Sequence, residues 1–248
     1  MPYATDSEYV TIEGLRAYVA TPRPEDGNAQ KTGMLLLPMI TGIGAQVREF
    51  ADTIAAQTGA VALSWDPWHG VSSDDADFDV LHGLLDELKD EIAIAEQQTL
   101  LTHMREDLGL ERIGVIGWCL GGRFAFILGG LDHDLVNVLG FHPTVPGEPA
   151  PTHTYDVVDL AAAMKAPAFM AYPGKDSIVP RENFLRLQEA LQNRADAPSI
   201  IHLYPQAKHG FSDKRRHNEE VNATAFQLSW PQALAFISAT TASATTAP

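Results

Sequence analysis

Residues 114–124 read GVIGWCLGGRF, in which an apolar run ends in Gly-Trp-Cys-Leu-Gly and a helical pattern begins at once. This pattern predicts a sharp turn between a strand and a helix, with Cys119 at its centre. Glycines two positions before and after the cysteine let neighbouring backbone approach without a Cβ clash. The helix N-terminus lowers the pKa of a thiol placed there, and the backbone N–H of Leu120 can face a developing oxyanion. A lone cysteine is often a buried core residue, but in this setting we predict that Cys119 is a nucleophile.

Apolar runs of the same kind alternate with helical patterns from about residue 32 onward. This alternation is typical of βαβ units that build a mostly parallel sheet with helices on both faces. The runs predict strands at Met34–Leu37, Val61–Trp65, Ile113–Ile116, Val136–Leu139, Ala168–Tyr172 and Ile200–Tyr204. Residues 9–19 predict an antiparallel hairpin that turns near Glu13 and Gly14. The sequence therefore predicts an α/β fold with eight strands.

Five segments carry apolar residues at the three- and four-residue spacing of helices. They are residues 45–58, 78–104, 120–130, 181–193 and 219–238. Pro231 is expected to kink or restart the last of these helices, because proline removes a backbone donor and clashes with the preceding turn. No linker divides the chain, so residues 1–237 are predicted to form one domain. Residues 238–248 are rich in Ala, Thr and Ser, which predicts a disordered tail.

Two later loops carry the partners that a nucleophile on such a turn requires. Asp176 follows the strand at Ala168–Tyr172, and His209 follows the last strand, at Ile200–Tyr204. A single loop aspartate usually shapes a turn, and a single loop histidine is usually solvated. Here the chain order of nucleophile, acid and base, each after a later strand, matches a catalytic triad at one edge of the sheet. We therefore predict that His209 is the base for Cys119 and that Asp176 orients it.

The composition argues against several other functions. The 248 residues include 17 Lys and Arg against 32 Asp and Glu, a net charge of −15, so the protein should repel nucleic acids and anionic membranes. No apolar run approaches the ~20 residues of a membrane helix, and the N-terminus lacks a signal-peptide pattern, which favours a cytoplasmic protein. One cysteine cannot form an intramolecular disulfide, and no residues have the spacing of a metal site. We expect no metal or organic cofactor, and either a monomer or a homodimer.

Three motifs together resemble the dienelactone hydrolase family, a cysteine-nucleophile branch of the α/β-hydrolase superfamily. They are GWCLGG at 117–122, YPGKDSIVP at 172–180 and YPQAKHGF at 204–211. The resemblance extends from about residue 8 to about residue 235. It implies that the catalytic Cys, Asp and His of the family correspond to Cys119, Asp176 and His209. It also implies that the second oxyanion donor is a backbone N–H at or beside Ile40.

The sequence departs from this family at positions that tune the nucleophile and recognise the substrate. The resemblance implies a Glu just before the oxyanion residue in members that open dienelactones, and this chain has Met39 there. It also implies two arginines that bind a substrate carboxylate, but residues 66–70 read DPWHG and residues 212–213 read SD. The nearby basic run Lys214–Arg216 offers substitutes, although such runs are more often solvated. These departures argue against a small anionic dienelactone as the substrate.

The predicted activity is hydrolysis of an ester, lactone or thioester bond through an acyl-cysteine intermediate. The intermediate is itself a thioester, which suits these activated bonds better than amides. Candidate residues of a substrate pocket at the same sheet edge are Met39, Trp68, His69, Trp118, His142 and Phe211. The side chains of Trp118, His142 and the pair Trp68 and His69 could instead pack against neighbouring loops.

Two other functions remain open. Met39 favours a non-catalytic, small-molecule-binding member of the fold, since the loss of a tuning carboxylate could leave the thiol inert. Retention of Cys119, Asp176 and His209 together argues against that reading, because a binding protein needs none of them. A redox-sensing thiol is the other possibility, but the chain has no second cysteine and would need an external thiol to reduce an oxidised Cys119.

Overall fold

The computed structural model describes residues 2–24, 30–195 and 197–242. The strands within these residues are β1 (Ala4–Ile12), β2 (Leu15–Arg23), β3 (Thr32–Leu37), β4 (Val61–Trp65), β5 (Arg112–Trp118), β6 (Val138–Phe141), β7 (Ala168–Pro173) and β8 (Ser199–Tyr204). The helices are α1 (Ala45–Thr58), α2 (Phe78–Glu87), α3 (Asp90–Glu106), α4 (Leu120–Leu131), α5 (Val157–Ala163), α6 (Arg181–Gln192) and α7 (Glu220–Thr241). Over the ranges that the structure describes, no helix is both long enough and apolar enough to cross a bilayer.

The eight strands form one sheet in the order β1-β2-β4-β3-β5-β6-β7-β8. β1 and β2 form the predicted hairpin, and β2 also pairs antiparallel with β4, whereas all the other pairs are parallel. The prediction of a mostly parallel, eight-stranded α/β sheet is therefore confirmed. Parallel strands end at a common edge, so this topology brings the segments after β3, β5, β6, β7 and β8 to one side of the molecule.

Helices cover both faces of this sheet, as predicted. Along β3, Leu35 and Leu37 belong to one apolar cluster, and Met34 and Leu36 belong to the other, because successive strand residues point to opposite faces. The first cluster packs against α2 to α6, and the second packs against α1 and α7. The central strands are therefore buried on both sides, and only their ends are available for chemistry.

The predicted helix at 78–104 is wrong as a single element, because the structure divides it into α2 and α3 at Leu88 and Lys89. The reason lies in Asp90, whose carboxylate accepts hydrogen bonds from both terminal nitrogens of the Arg123 guanidinium at 2.6 and 2.7 Å. Both of these side chains are 1% exposed. A buried charge requires a close partner, and the break at Lys89 turns Asp90 towards Arg123. The apolar spacing is the same on both sides of the break and therefore does not reveal it.

The strand β6 and the helix α5 also differ from the predictions. β6 spans Val138–Phe141 instead of 136–139, which brings Phe141 opposite Trp118 of β5. The short helix α5 had no counterpart in the prediction, and the carboxylate of Asp156 caps it by accepting the N–H groups of two of its residues.

The C-terminal helix continues further than expected. α7 passes through Pro231 without restarting, and it extends beyond Ser238, the expected start of the tail, to Thr241. The Arg112 guanidinium holds this last turn by donating to the carbonyl oxygens of Thr240 and Thr241 at 2.8 and 2.9 Å. The remainder of the predicted tail, residues 243–248, lies outside the described residues.

Candidate active site

Cys119 sits on the predicted turn between β5 and α4. Its φ and ψ are +53° and −112°, a conformation that L-residues rarely adopt, and it is the residue that precedes the first turn of α4. A Cβ added at Gly117 would lie 2.0 Å from the carbonyl oxygen of Gly121, and one added at Gly121 would lie 1.9 Å from that of Leu37. The two glycines are therefore required by close backbone contacts that hold the thiol at the edge of the sheet.

The structure brings the three predicted catalytic side chains together. Nε2 of His209 lies 3.0 Å from Sγ of Cys119, and Nδ1 of His209 lies 2.8 Å from Oδ2 of Asp176. The other carboxylate oxygen of Asp176 accepts the backbone N–H groups of Ile178 and Val179 at 2.8 and 2.9 Å. These bonds fix the carboxylate, and the carboxylate in turn orients the imidazole.

Cys119 and His209 shift each other's pKa. Burial by itself would lower the pKa of His209, but the negative charge of Cys119 and the hydrogen bonds with Asp176 and Cys119 raise that pKa to about 10. Burial by itself would also raise the pKa of the Cys119 thiol, but the charge of His209 and the hydrogen bonds to the sulfur hold it below its ordinary value. The arrangement therefore favours a thiolate beside an imidazolium over two neutral groups.

Two further groups contact the sulfur. The backbone N–H of Leu120 donates to it, and the hydroxyl of Thr144 lies 3.5 Å away. Thr144 also donates its backbone N–H to the carbonyl oxygen of Cys119 at 3.0 Å. The sequence analysis did not identify Thr144. Its position two residues after His142, in the loop that follows the strand next to β5, was the available signal.

The loop that carries Ile40 lies against the start of α4. The N–H of Gly121 donates to the carbonyl oxygen of Pro38 at 3.1 Å, and the indole N–H of Trp68 donates to the carbonyl oxygen of Ile40 at 2.7 Å. The peptide that includes Ile40 is thus held from two sides. Trp68, predicted as a pocket residue, is 5% exposed and serves as a support for this loop.

Two of the other predicted pocket residues lie in the core. Trp118 and Phe211 are both fully buried in the cluster beneath α1 and α7. The ring of Trp118 stacks on Phe50 at 4.7 Å between centroids, and Phe211 packs near Phe141. The pleat of β5 and the turn after His209 direct these two side chains into the sheet face, where they pack in the core.

Met39 is buried in the apolar cluster beneath α1 and α7, whereas His69 lies at the surface. Met39 forms part of the wall of a cavity of about 280 Å³ that is also lined by Thr41, Lys214 and Arg215, and Cys119 is not among its lining residues. His69 is exposed, and its Nε2 lies 3.2 Å from a carboxylate oxygen of Glu96.

The basic run after His209 is largely neutralised by acidic side chains. Lys214 forms an ion pair with Glu49, and Arg215 contacts Asp213 at 2.7 Å. Arg216 lies beside Gly210: a Cβ added at that glycine would be 3.0 Å from its Nε. Two of the three cations proposed as substitutes for the family arginines therefore already have anionic partners.

His142 is a predicted pocket residue whose ring contacts that of His209. It is fully buried, and its ring centroid lies 5.1 Å from that of His209. Burial, together with the positive charge of His209, lowers the pKa of His142 well below its ordinary value. Among the described residues, no three His, Cys, Asp or Glu side chains are arranged to hold a metal ion.

Comparison with known proteins identifies the family. The sequence model of the dienelactone hydrolase family matches residues 15–241. The chain belongs to the dienelactone hydrolase family. A carboxymethylenebutenolidase of Rhodococcus opacus is 25% identical over 235 residues, which cover 92% of this chain and 90% of that protein. A carboxymethylenebutenolidase homolog of Xenopus tropicalis is 24% identical over 226 residues, covering 89% and 84%.

Solved structures share the fold of this dienelactone hydrolase family member. A Klebsiella pneumoniae protein described as "Putative Dienelactone Hydrolase" superposes with a TM-score of 0.80 at 23% identity, covering 94% of this chain and 98% of that one. A dienelactone hydrolase-like promiscuous phosphotriesterase from metagenomic libraries gives a TM-score of 0.72 at 17% identity, covering 96% and 100%. The predictions of the family, of the α/β-hydrolase fold and of a dienelactone hydrolase-like ester or lactone hydrolase are confirmed.

Proposed function

We propose that this protein hydrolyses an ester, lactone or thioester by transferring the acyl group first to Cys119 and then to water. The observation that carries the proposal is the unbroken series of contacts from the Cys119 sulfur through His209 to Asp176. Membership of the dienelactone hydrolase family supports the class of bond, and the relatives named carboxymethylenebutenolidase act, by that name, on an unsaturated lactone.

Acylation begins with the Cys119 thiolate, which attacks the carbonyl carbon of the substrate. The carbonyl oxygen becomes an oxyanion that accepts hydrogen bonds from the backbone N–H groups of Leu120 and Ile40, each worth typically about 3–4 kcal/mol in such a site. When the intermediate collapses, the bond to the leaving group breaks, and the His209 imidazolium gives its Nε2 proton to the departing oxygen or sulfur. The products of this step are a thioester on Cys119 and a neutral His209.

Deacylation uses the same groups in reverse. Neutral His209 takes a proton from water as the water oxygen attacks the thioester carbon. Collapse of the second intermediate breaks the bond to sulfur, releases the carboxylic acid and regenerates the thiolate beside the imidazolium. Asp176 accepts the Nδ1 hydrogen throughout, which keeps Nε2 directed at the sulfur and stabilises the charge on the ring.

The nature of the nucleophile favours esters over amides. A thiolate is a better leaving group than an amide nitrogen, so a tetrahedral intermediate formed from an amide tends to expel Cys119 and return to substrate. Esters, lactones and thioesters have leaving groups that compete with the thiolate. The pairing of Lys214 and Arg215 with acidic neighbours further supports an acyl group without a carboxylate of its own.

A pre-steady-state assay tests the proposal. Mixing the protein with p-nitrophenyl acetate should give a burst of nitrophenolate equal to the enzyme concentration, and intact-mass and peptide analysis of the quenched sample should locate an acetyl group on Cys119. Cys119→Ala should fold with an unchanged circular dichroism spectrum but give no burst and no adduct.

Two results would overturn it. Turnover by Cys119→Ala at the wild-type rate would exclude the acyl-cysteine. The absence of a burst, an adduct and steady-state turnover across esters, lactones and thioesters would leave the small-molecule-binding and redox-sensing alternatives.

A further inference from the structure

We propose that His142 is a positioning residue that holds the His209 ring in line with Cys119, and that Ser212 holds His142 in place for this task. The inference rests on the proposed function and assigns a further residue to the same site. It stands on four observations: a strained backbone, two ring contacts, one short hydrogen bond and complete burial.

The backbone places His142 next to the nucleophile. β5 and β6 are paired so that Trp118 lies opposite Phe141, and the N–H of Cys119 donates to the carbonyl oxygen of Phe141 at 3.0 Å. His142 has a φ of +37°, so each of the two strands is followed directly by a non-glycine residue with a positive φ. Such conformations persist only where surrounding contacts impose them, and they concentrate at functional sites. The backbone N–H of His142 supplies one of these contacts by donating to the carbonyl oxygen of Ala171 at 2.8 Å.

The side chain of His142 lies against the segment that carries the base. Its ring contacts that of His209 edge to face, with centroids 5.1 Å apart, and that of Phe211 in the same manner at 5.3 Å. Its Nε2 lies 2.6 Å from the hydroxyl oxygen of Ser212, which is also fully buried. The carbonyl oxygen of Ser212 accepts a hydrogen bond from the side chain of Gln46 in α1. The turn from His209 to Ser212 is therefore tied to the end of β6 and to α1.

These contacts restrict the movement of the His209 ring. The bond from Nδ1 to Asp176 fixes one atom of the His209 ring but leaves the ring free to pivot about that bond. The ring of His142 occupies the adjacent space and opposes this movement, so Nε2 remains 3.0 Å from the sulfur. An error of about 1 Å in such an alignment can reduce a rate by on the order of 100-fold.

A residue in this place must be uncharged, because the base beside it carries a positive charge before each acylation. The charged groups that face His209 are Cys119 and Asp176, both negative, and Arg216 lies close enough to act on His142. Burial and the positive charges of His209 and Arg216 keep the pKa of His142 well below its ordinary value, so its ring is neutral at neutral pH. The fully buried ring therefore packs against the imidazolium without repelling it.

Three substitutions separate the contribution of the ring from that of the hydrogen bond. His142→Gln retains a group that can bond to Ser212 but has no ring. His142→Phe retains a ring but loses the bond, and Ser212→Ala removes only the hydroxyl. We expect His142→Gln to lower kcat for p-nitrophenyl acetate by about tenfold or more with little change in KM. His142→Phe and Ser212→Ala should each lower it by less.

The pH dependence of Cys119 alkylation by iodoacetamide distinguishes a positioning role from a purely structural one. If His142 only packed in the core, its substitution would not change this pH dependence. An imidazolium that is held less firmly stabilises the Cys119 thiolate less. The pH at which half of Cys119 is thiolate, the midpoint of the alkylation profile, should therefore rise in His142→Gln and rise less in the other two variants. His202→Gln is the matched control: this ring also packs edge to face on an aromatic ring, Phe169, but lies on β8 outside the site. It should leave both kcat and the midpoint unchanged.

The proposal is overturned if His142→Gln retains the wild-type kcat and alkylation midpoint, or if the Gln and Phe variants are equally impaired. Should His142→Gln fail to fold, Ser212→Ala decides instead, and an unchanged midpoint in that variant overturns the proposal. Alkylation requires no substrate, so this test remains valid even if the protein cleaves no ester.

Discussion

At the scale of single residues, the proposed mechanism has Asp176 act only through the imidazole that it orients. Its carboxylate joins the two backbone N–H groups of the 173–180 loop to Nδ1 of His209. An amide in its place can donate to Nδ1, which leaves the ring proton of neutral His209 on Nε2, and a protonated Nε2 cannot take a proton from water. We expect Asp176→Asn to lower kcat by on the order of 10³-fold or more while the protein stays folded.

Steady-state rates of Asp176→Asn and of Asp79→Asn, an exposed carboxylate on α2, would check this expectation. The control should match the wild type in both kcat and melting temperature. Undiminished turnover by Asp176→Asn would remove this residue from the proposed triad.

The coupled ionisation of Cys119 and His209 predicts the pH profile of the reaction. The pKa of Cys119 is lowered, so the thiolate forms below the pH at which an ordinary thiol ionises, and kcat/KM should rise at that lower pH. The pKa of His209 is about 10, so the imidazolium proton that the leaving group requires is lost only near that pH, and kcat/KM should then fall. The expected profile is a bell with its acid limb below the pKa of an ordinary thiol and its alkaline limb near pH 10.

Measurement of kcat/KM from about pH 5 to about pH 11 tests this profile, since it spans the ordinary pKa values of thiols and imidazoles. In His209→Gln, the thiolate loses its cationic partner, so the midpoint of Cys119 alkylation should move up towards that of an ordinary thiol. A wild-type profile that rises only near pH 9, where free thiols ionise, would contradict the ion pair.

At the scale of elements, the junction of β5 and α4 depends on the absence of two side chains. A Cβ at position 121 would meet the backbone of β3 at 1.9 Å, whereas one at Gly83 of α2 would have no atom within 4 Å. We expect Gly121→Ala to prevent accumulation of folded protein or to lower the free energy of unfolding by roughly 3 kcal/mol or more. Gly83→Ala should raise it by about 0.5–1 kcal/mol.

Urea unfolding of the two variants provides the comparison. The same substitution should thus change the free energy of unfolding in opposite directions at the two glycines, because only Gly121 lies where three chain segments meet. A loss below about 1 kcal/mol at Gly121 would show that β3 and α4 can separate without damage to the turn.

At the scale of the whole molecule, a net charge of −15 opposes the approach of anionic substrates. The association of an anionic ester such as mono-p-nitrophenyl glutarate should therefore become faster as salt screens this repulsion. Between about 10 mM and about 500 mM NaCl, the Debye length falls from ~30 Å to a few Å. We expect kcat/KM for the anionic ester to rise several-fold over this range and that for p-nitrophenyl acetate to change little.

Stopped-flow or steady-state measurements over this salt series would test the role of the net charge. A fall in kcat/KM for the anionic ester with added salt would indicate a local positive field at the site. Such a result would assign Lys214, Arg215 or Arg216 to substrate binding despite the ion pairs that the first two form.

The sequence by itself determined the fold class, the chain order of the strands and the three residues proposed for catalysis. Each of these depends on local patterns: apolar runs of strand length, helical spacing, and a Gly-x-Cys-x-Gly turn that only small flanking residues permit. Parallel strands end at one edge, so three loop residues in the order Cys119, Asp176, His209 could be placed together without coordinates.

Only the tertiary structure decided which neighbours these residues have. The break before Asp90, the burial of Trp118 and Phe211, and the contacts of Thr144 with Cys119 and of His142 with Ser212 join positions far apart in the chain. They depend on strand register and on the direction of individual side chains. β6 ends at Phe141, two residues later than predicted, so His142 directly follows the strand, and its ring contacts that of His209. Local sequence patterns carry no information about such contacts, because the contacts form where side chains of different elements pack closely together.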